Sequence, residues 1–164
     1  MDRGILMALV LVLLVVLLLL LPLGWFARKR RQRAVEAPHS APADRGAGLG
    51  VFDGKYVATT ASGDPLDRIA VHGLGFRSDV SAQVSALGVL LARPGEVDTW
   101  IPRDDLRDRR RATWTIDRVV EPDGLELVEW MLGSRRVDTY LRLDDPAGFD
   151  AALTPLLPTE RQAS

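Results

Sequence analysis

LELVEWMLGSRRVDTYLRLDDPAGFDAALTPLL, residues 125–157, is the stretch that decides the fold. Leu125 to Met131 is an apolar run rich in strand formers, and Gly133-Ser134 supplies turn chemistry directly after it. From Arg136 to Leu143 the side chains of Val137, Thr139, Leu141 and Leu143 share one face, so the register of this second strand is well specified. Asp145-Pro146 then places a capping carboxylate before a proline at the first helical position, the favoured order for a helix start. Phe149, Leu153, Leu156 and Leu157 form one apolar stripe, and Pro155 ends or bends the helix after about nine residues.

Upstream, the pattern is one of short strands. Lys55 to Ala61 is rich in β-branched and aromatic residues and stops at Ser62-Gly63-Asp64-Pro65. Val80, Ala82, Val84 and Ala86 alternate with polar residues, predicting one buried and one wet face. Val89 to Arg93 ends at Pro94-Gly95, and Val97 to Ile101 ends at Pro102. Arg103 to Arg111 reads as a charged loop. Ala112 to Val120 follows as a strand with Trp114 and Ile116 on one face, turning at Pro122-Asp123-Gly124. Seven antiparallel strands and one C-terminal helix, over residues 51–158 with a tail at 159–164, suit a small barrel or sandwich capped at an open end.

The opposite end of the chain differs in kind. Residues 4–26 contain no charge, and as a helix they would extend about 34 Å, enough for the roughly 30 Å hydrocarbon core of a bilayer. Trp25 and Phe26 fall where aromatic side chains favour the headgroup region. Arg28, Lys29, Arg30, Arg31 and Arg33 follow at once, whereas residues 1–3 hold only Asp2, Arg3 and the terminal amine. That asymmetry predicts a single-pass plasma-membrane anchor with a short N-terminus outside and the C-terminal domain in the cytoplasm. A cleaved signal peptide wants its charge on the other flank, a shorter apolar run and a small-residue site just beyond it.

Residues 34–50, within a basic stem and linker at 27–50, mix Ala, Pro and Gly without hydrophobic periodicity and read as a flexible tether in which His39 is solvated. Of 164 residues 47% are apolar and the net charge is −1, but residues 1–50 carry seven Lys/Arg against three Asp/Glu and the remainder 14 against 19. An acidic domain opposes nucleic-acid binding. The absence of cysteine removes disulfides, thiolate metal sites and a cysteine nucleophile.

The run GVLLARPG at 88–95, followed by WIPRDDL at 100–106, is similar to a strand–turn–strand pattern of bacterial pleckstrin-homology-like (PH-like) domains. GKYVATT at 54–60, DPLDRIAVHGLGFR at 64–77 and VDTY at 137–140 resemble a family of single-span actinobacterial membrane proteins with such a domain. The resemblance implies the strand-and-helix order read above and a membrane anchor, on motifs that are structural and not catalytic. Genes of that family often lie beside pyrimidine-biosynthesis genes, and members carry labels such as "transporter" or "export or membrane protein". One helix cannot enclose a substrate path, so the label implies at most an accessory subunit of a transport or export complex.

Candidate chemistry is sparse. His72, in AVHGLGFR at 70–77, lacks the third glycine of a dinucleotide fingerprint, so Gly73 and Gly75 read as turn or close-packing residues. Asp144-Asp145 is explained by helix capping and Asp104-Asp105 by pairing with Arg107. Trp100, Trp114 and Trp130 read as core. Arg109, Arg110 and Arg111 are the candidate contact for a partner or an anion, diluted by nearby aspartates. No catalytic residue, metal or cofactor is expected. The expected function is a non-enzymatic interaction or scaffold module that binds the bilayer through its anchor and an unknown protein partner or a second copy through its domain. The alternative is a sensor of anionic lipid or a small anion through the arginines.

Overall fold

The structure is a computed structural model that describes residues 3–112, 114–115, 118–119 and 124–158. The chain divides into two compact units, Met1–Ala34 and Val35–Ser164. The first is helix α1, Arg3–Arg31, followed by a 3-10 turn at Gln32–Ala34. Over Arg3–Leu20 its mean hydropathy is 3.0, so α1 is long and apolar enough to cross a membrane. Trp25, Arg28, Lys29, Arg30 and Arg31 occupy its last turns and Arg33 the turn beyond; their side chains lie outside the described residues.

The second unit is mainly antiparallel sheet with a C-terminal helix. Its strands are β1 (Gly48–Ala61), β2 (Asp64–Arg68), β3 (Ser78–Ser85), β4 (Gly88–Ala92), β5 (Thr99–Pro102), β6 (Leu106–Ala112), β7 (Trp114–Thr115), β8 (Arg118–Val119), β9 (Leu125–Leu132) and β10 (Arg135–Leu143). Helix α2 is Pro146–Leu153. The main sheet runs β5-β4-β3-β1-β10-β9-β6, with β2 paired to β1, while β7 and β8 pair with each other. The strands β5 and β6 end the hydrogen-bonded path.

The shape of the sheet depends on β1, which pairs with β3 from Gly48 to Tyr56 and with β10 from Gly54 to Ala61. Gly54 stands at the crossing, opposite both Val80 and Leu143. A Cβ there would collide with the Arg142 carbonyl and come within 2.7 Å of Leu143 Cα, so only glycine lets β1 serve both halves.

The hairpin read from residues 125–143 forms as expected, with Val137 opposite Trp130 and Thr139 opposite Val128. Asp145 caps α2 through Gly148 N at 2.9 Å, Pro146 begins the helix, and Pro155 falls in a closing 3-10 turn at Thr154–Leu156. Phe149, Leu153 and Leu156 enter the core beside Trp130, Leu141 and Tyr56.

Five local readings are revised, the first being that Asp64-Pro65, read as part of a turn, opens strand β2 against β1, so that the described residues hold ten strands where about seven are expected. Strand β1 begins at Gly48 and not at Lys55, because pairing with β3 holds a glycine-rich segment of weak intrinsic strand preference. The segment read as a charged loop at 103–111 is a 3-10 turn at Arg103–Asp105 and then strand β6, paired to β9 with Arg109 opposite Val128 and Arg111 opposite Glu126. Strand β5 begins at Thr99 instead of Val97. The single strand expected over 112–120 is replaced by the end of β6 and the short β7–β8 pair, Trp114 opposite Val119. Ile116, Pro122, Asp123 and the tail at 159–164 lie outside the described residues, as does the side chain of Trp114.

Residues 35–47, within the segment 34–50 read as a flexible tether, lie against the domain. His39 bridges Trp100 on β5, Ala86 N donates to Ala47 O at 2.9 Å, and Arg45 donates to Gln83 Oε1 at 2.9 Å. The His39 ring stays mostly in solvent, 3.5 Å from an Asp105 carboxylate oxygen.

Candidate functional site

The arginine triplet was the sharpest charged candidate, and its placement on β6 sets its chemistry. Arg109 pairs with Asp150 of α2 and reaches Glu126 of β9 at 3.4 Å; Arg111 meets the other oxygen of Glu126 at 3.4 Å. Arg110 pairs with Glu129 at 2.9 Å and Asp108 at 3.3 Å, and Glu129 also takes Arg136 at 3.1 Å. These cations are therefore engaged by carboxylates of the same domain. An incoming anion would compete with partly buried ion pairs. Arg109 also ties β6, β9 and α2 together.

Glu126 is the most deeply buried member of this cluster, with Glu129 next to it in burial. Desolvation raises its pKa above the usual carboxylate value, opposed by the charges of Arg109 and Arg111. A carboxyl whose folded-state pKa is raised contributes stability below its unfolded pKa and loses that contribution as pH rises through the folded value. Wild-type chain is therefore expected to gain stability relative to Glu126→Gln as pH falls from 7 toward 4.5. Denaturant midpoints of both proteins across that range check this, and parallel profiles would refute it.

A second cluster forms around Tyr56. Trp130 Nε1 donates to Thr139 Oγ1 at 2.8 Å, the Thr139 and Thr59 hydroxyls lie 2.7 Å apart, Thr59 lies 2.7 Å from the Tyr56 hydroxyl, and Tyr56 donates to Leu74 O at 2.7 Å. An indole N–H can only donate and a carbonyl can only accept, so every bond in this chain runs from Trp130 toward Leu74. Burial pushes the Tyr56 phenol up to about 12, against the pull of the Thr59 hydrogen bond and of Arg93. Arg93 is only 2% exposed, stacks 4.5 Å over the Tyr56 ring, and donates to Gly73 O, Val97 O and Thr99 Oγ1 at 2.8, 3.2 and 3.1 Å. The guanidinium thus joins two loops to the core. Sequence reading passed over Arg93 as a strand end, since nothing local distinguishes a buried arginine from an exposed one.

Next to these lies an open cleft of about 610 Å³ bordered by β1, β3 and the end of β4. Asp53, Asp79, Asp98 and Asp144 line it with Lys55, Arg93 and Ser81, and Lys55 pairs with Asp79. Four aspartates against two cations make the lining better suited to a cationic group than to phosphate.

The remaining candidates occupy structural positions. His72 has φ 56°, and its Nε2 lies 2.9 Å from Val35 O, which requires the proton on Nε2. Gly75 abuts Ala70 Cα and Ile69 O, each 3.1 Å from where a Cβ would stand. Arg107 donates to the backbone carbonyls of Asp104 and Leu106 at 2.5 and 3.0 Å, not to the Asp104-Asp105 carboxylates. Trp100 and Trp130 are core residues. Among the described residues no group of three or more His, Asp or Glu is arranged to hold a metal ion.

A family model described as bacterial PH domain-like matches residues 35–156. The chain belongs to the bacterial PH domain-like family. The match begins at Val35, where the second compact unit also begins, and ends at Leu156, the last residue of the turn after α2. No curated protein matches this PH domain-like chain.

Proposed function

We propose that this PH domain-like protein is a membrane-anchored, non-enzymatic interaction or scaffold protein of the plasma membrane, with its domain at the cytoplasmic face. The observation that carries the reading is an apolar helix long enough to span a bilayer, followed by the five basic residues Arg28, Lys29, Arg30, Arg31 and Arg33 and then the family domain from Val35. The basic flank supports a cytoplasmic domain. The acidic cleft and the internally paired arginines favour a protein partner or a second copy over an anionic lipid. They weigh against the anion-sensor alternative, and an accessory place in a transport or export complex is one form of the same interaction role.

Full-length chain carrying a reporter after Ser164, chemically cross-linked in intact cells, tests the proposal. The expected result is reporter activity confined to the cytoplasm and a reproducible higher-mass species in the membrane fraction. Reporter activity outside the cell, or recovery of the chain in the soluble fraction, would overturn the anchored cytoplasmic reading.

A further inference from the structure

The segment 35–47 is fastened to the domain at its two ends and hardly between them. At the first end Val35 packs against the core, His72 Nε2 donates to Val35 O at 2.9 Å, and the Glu36 carboxylate lies over Gly133, where any side chain would collide with it. At the second, Leu87 N donates to Arg45 O at 3.3 Å, Ala86 N to Ala47 O at 2.9 Å, and Arg45 to Gln83 Oε1 at 2.9 Å. Between them His39 supplies one bridge to Trp100, and residues 39–44 are exposed throughout. Among the described residues, Ser40 to Ala43 make no hydrogen bond. Gly46 has φ 75° and its N–H donates to Asp44 Oδ1 at 2.8 Å, so the chain turns where the second fastening begins. Conformational entropy opposes order at every residue of such a segment, while the contacts that offset it are confined to a few.

We infer that residues 35–44 are a releasable strap, hinged at Gly46, whose docking sets how far the domain reaches from the membrane. The inference rests on the anchored reading and adds a regulated tether length to it. With the strap docked, Ala34 alone separates Arg33 of the basic stem from the first fastened residue. The domain is then confined to partners beside the bilayer. Release frees ten more residues, up to about 35 Å at full extension and about 16–19 Å as a flexible chain. The fastening at Arg45 and Ala47 is independent of the one at Val35, so the first can open while the sheet stays intact. The family match begins at Val35, which makes the strap part of the domain and not of the stem.

The chain contains no cysteine, so paired labels can be placed at will. Spin labels at Ala37→Cys on the strap and Leu66→Cys on β2, directly before the loop that carries His72, report docking by their separation in full-length protein reconstituted into lipid bilayers. Two populations are expected, a narrow short distance and a broad longer one. His72→Gly keeps the positive φ without strain but removes the bond to Val35 O, and should raise the ratio of long to short by about two- to tenfold, the weight of one hydrogen bond. Val35→Ala should shift it the same way through lost packing. A control pair at Leu66→Cys and Leu87→Cys, both exposed sites outside the strap, should keep one unchanged distance and so show that the fold persists. One narrow distance in all variants would overturn the strap as a fixed element, and a broad distance insensitive to His72→Gly and Val35→Ala would overturn it as an ordinary tether. Recovery of the chain outside the membrane fraction would instead count against the anchored reading.

Discussion

Phe149→Ala is expected to destabilise the domain by about 3–5 kcal/mol, the usual cost of emptying a buried phenylalanine site. Phe149 is 0% exposed and meets Phe52 edge-on, with ring centroids 5.6 Å apart and planes at 82°. Helix α2 spans eight residues, too short to hold its conformation by its own hydrogen bonds, so its docking rests on Phe149, Leu153 and Leu156. The same loss should reach the ion pairs, because Asp150 of α2 shares Arg109 with Glu126. Chemical denaturation of detergent-solubilised full-length chain should show a lower midpoint, and the gain in stability on acidification should shrink as Glu126 becomes hydrated. Ala151→Ser, at an exposed position of the same helix, should stay within about 0.5 kcal/mol of wild type. A Phe149→Ala effect no larger than that control would contradict the role assigned to α2.

Arg93→Met should rival it, with an expected loss of about 3 kcal/mol or more. The substitution keeps much of the apolar stem but removes the donors serving Gly73 O, Val97 O and the buried Thr99 Oγ1, along with the cation over the Tyr56 ring, and a buried acceptor left alone costs roughly 1–3 kcal/mol. Arg93→Lys should recover only part of the loss, because a single ammonium lacks the planar fork that reaches both loops. Native-state hydrogen exchange gives a specific readout: amides of residues 69–77 and 93–98 should lose protection together in Arg93→Met. Loss in one segment alone would refute the shared anchor.

The parts legible in the sequence share a local cause. The β9–β10 hairpin follows from a two-residue glycine turn between strands whose alternation matches their faces, and α2 follows from an aspartate cap, a proline and one apolar stripe. Its early stop follows from Pro155. The parts misread depend on remote partners. Gly48 to Gly54 has little preference for a strand and becomes one because β3 lies beside it. The arginine run resembles a solvated loop until Glu126 and Glu129, on a strand distant in sequence, arrive opposite it. Two glutamates inside the otherwise apolar LELVEWML were the available signal, since buried carboxylates need cationic partners and β6 supplies them.

The sequence by itself determined the division into an apolar helix, a basic flank and an acidic β domain closed by a short helix. Those features follow from composition, periodicity and capping, all of which act over a few residues. Only the tertiary structure decided that Arg109, Arg110 and Arg111 are occupied internally, that Arg93 is buried over Tyr56, and that residues 35–47 lie along the domain. It also decided that β1 serves two neighbours in turn, β3 over its first half and β10 over its second. The physical reason is the same throughout: a charge or a backbone amide acquires its role from the partner it meets, and in an antiparallel sheet that partner is chosen by register across the whole fold.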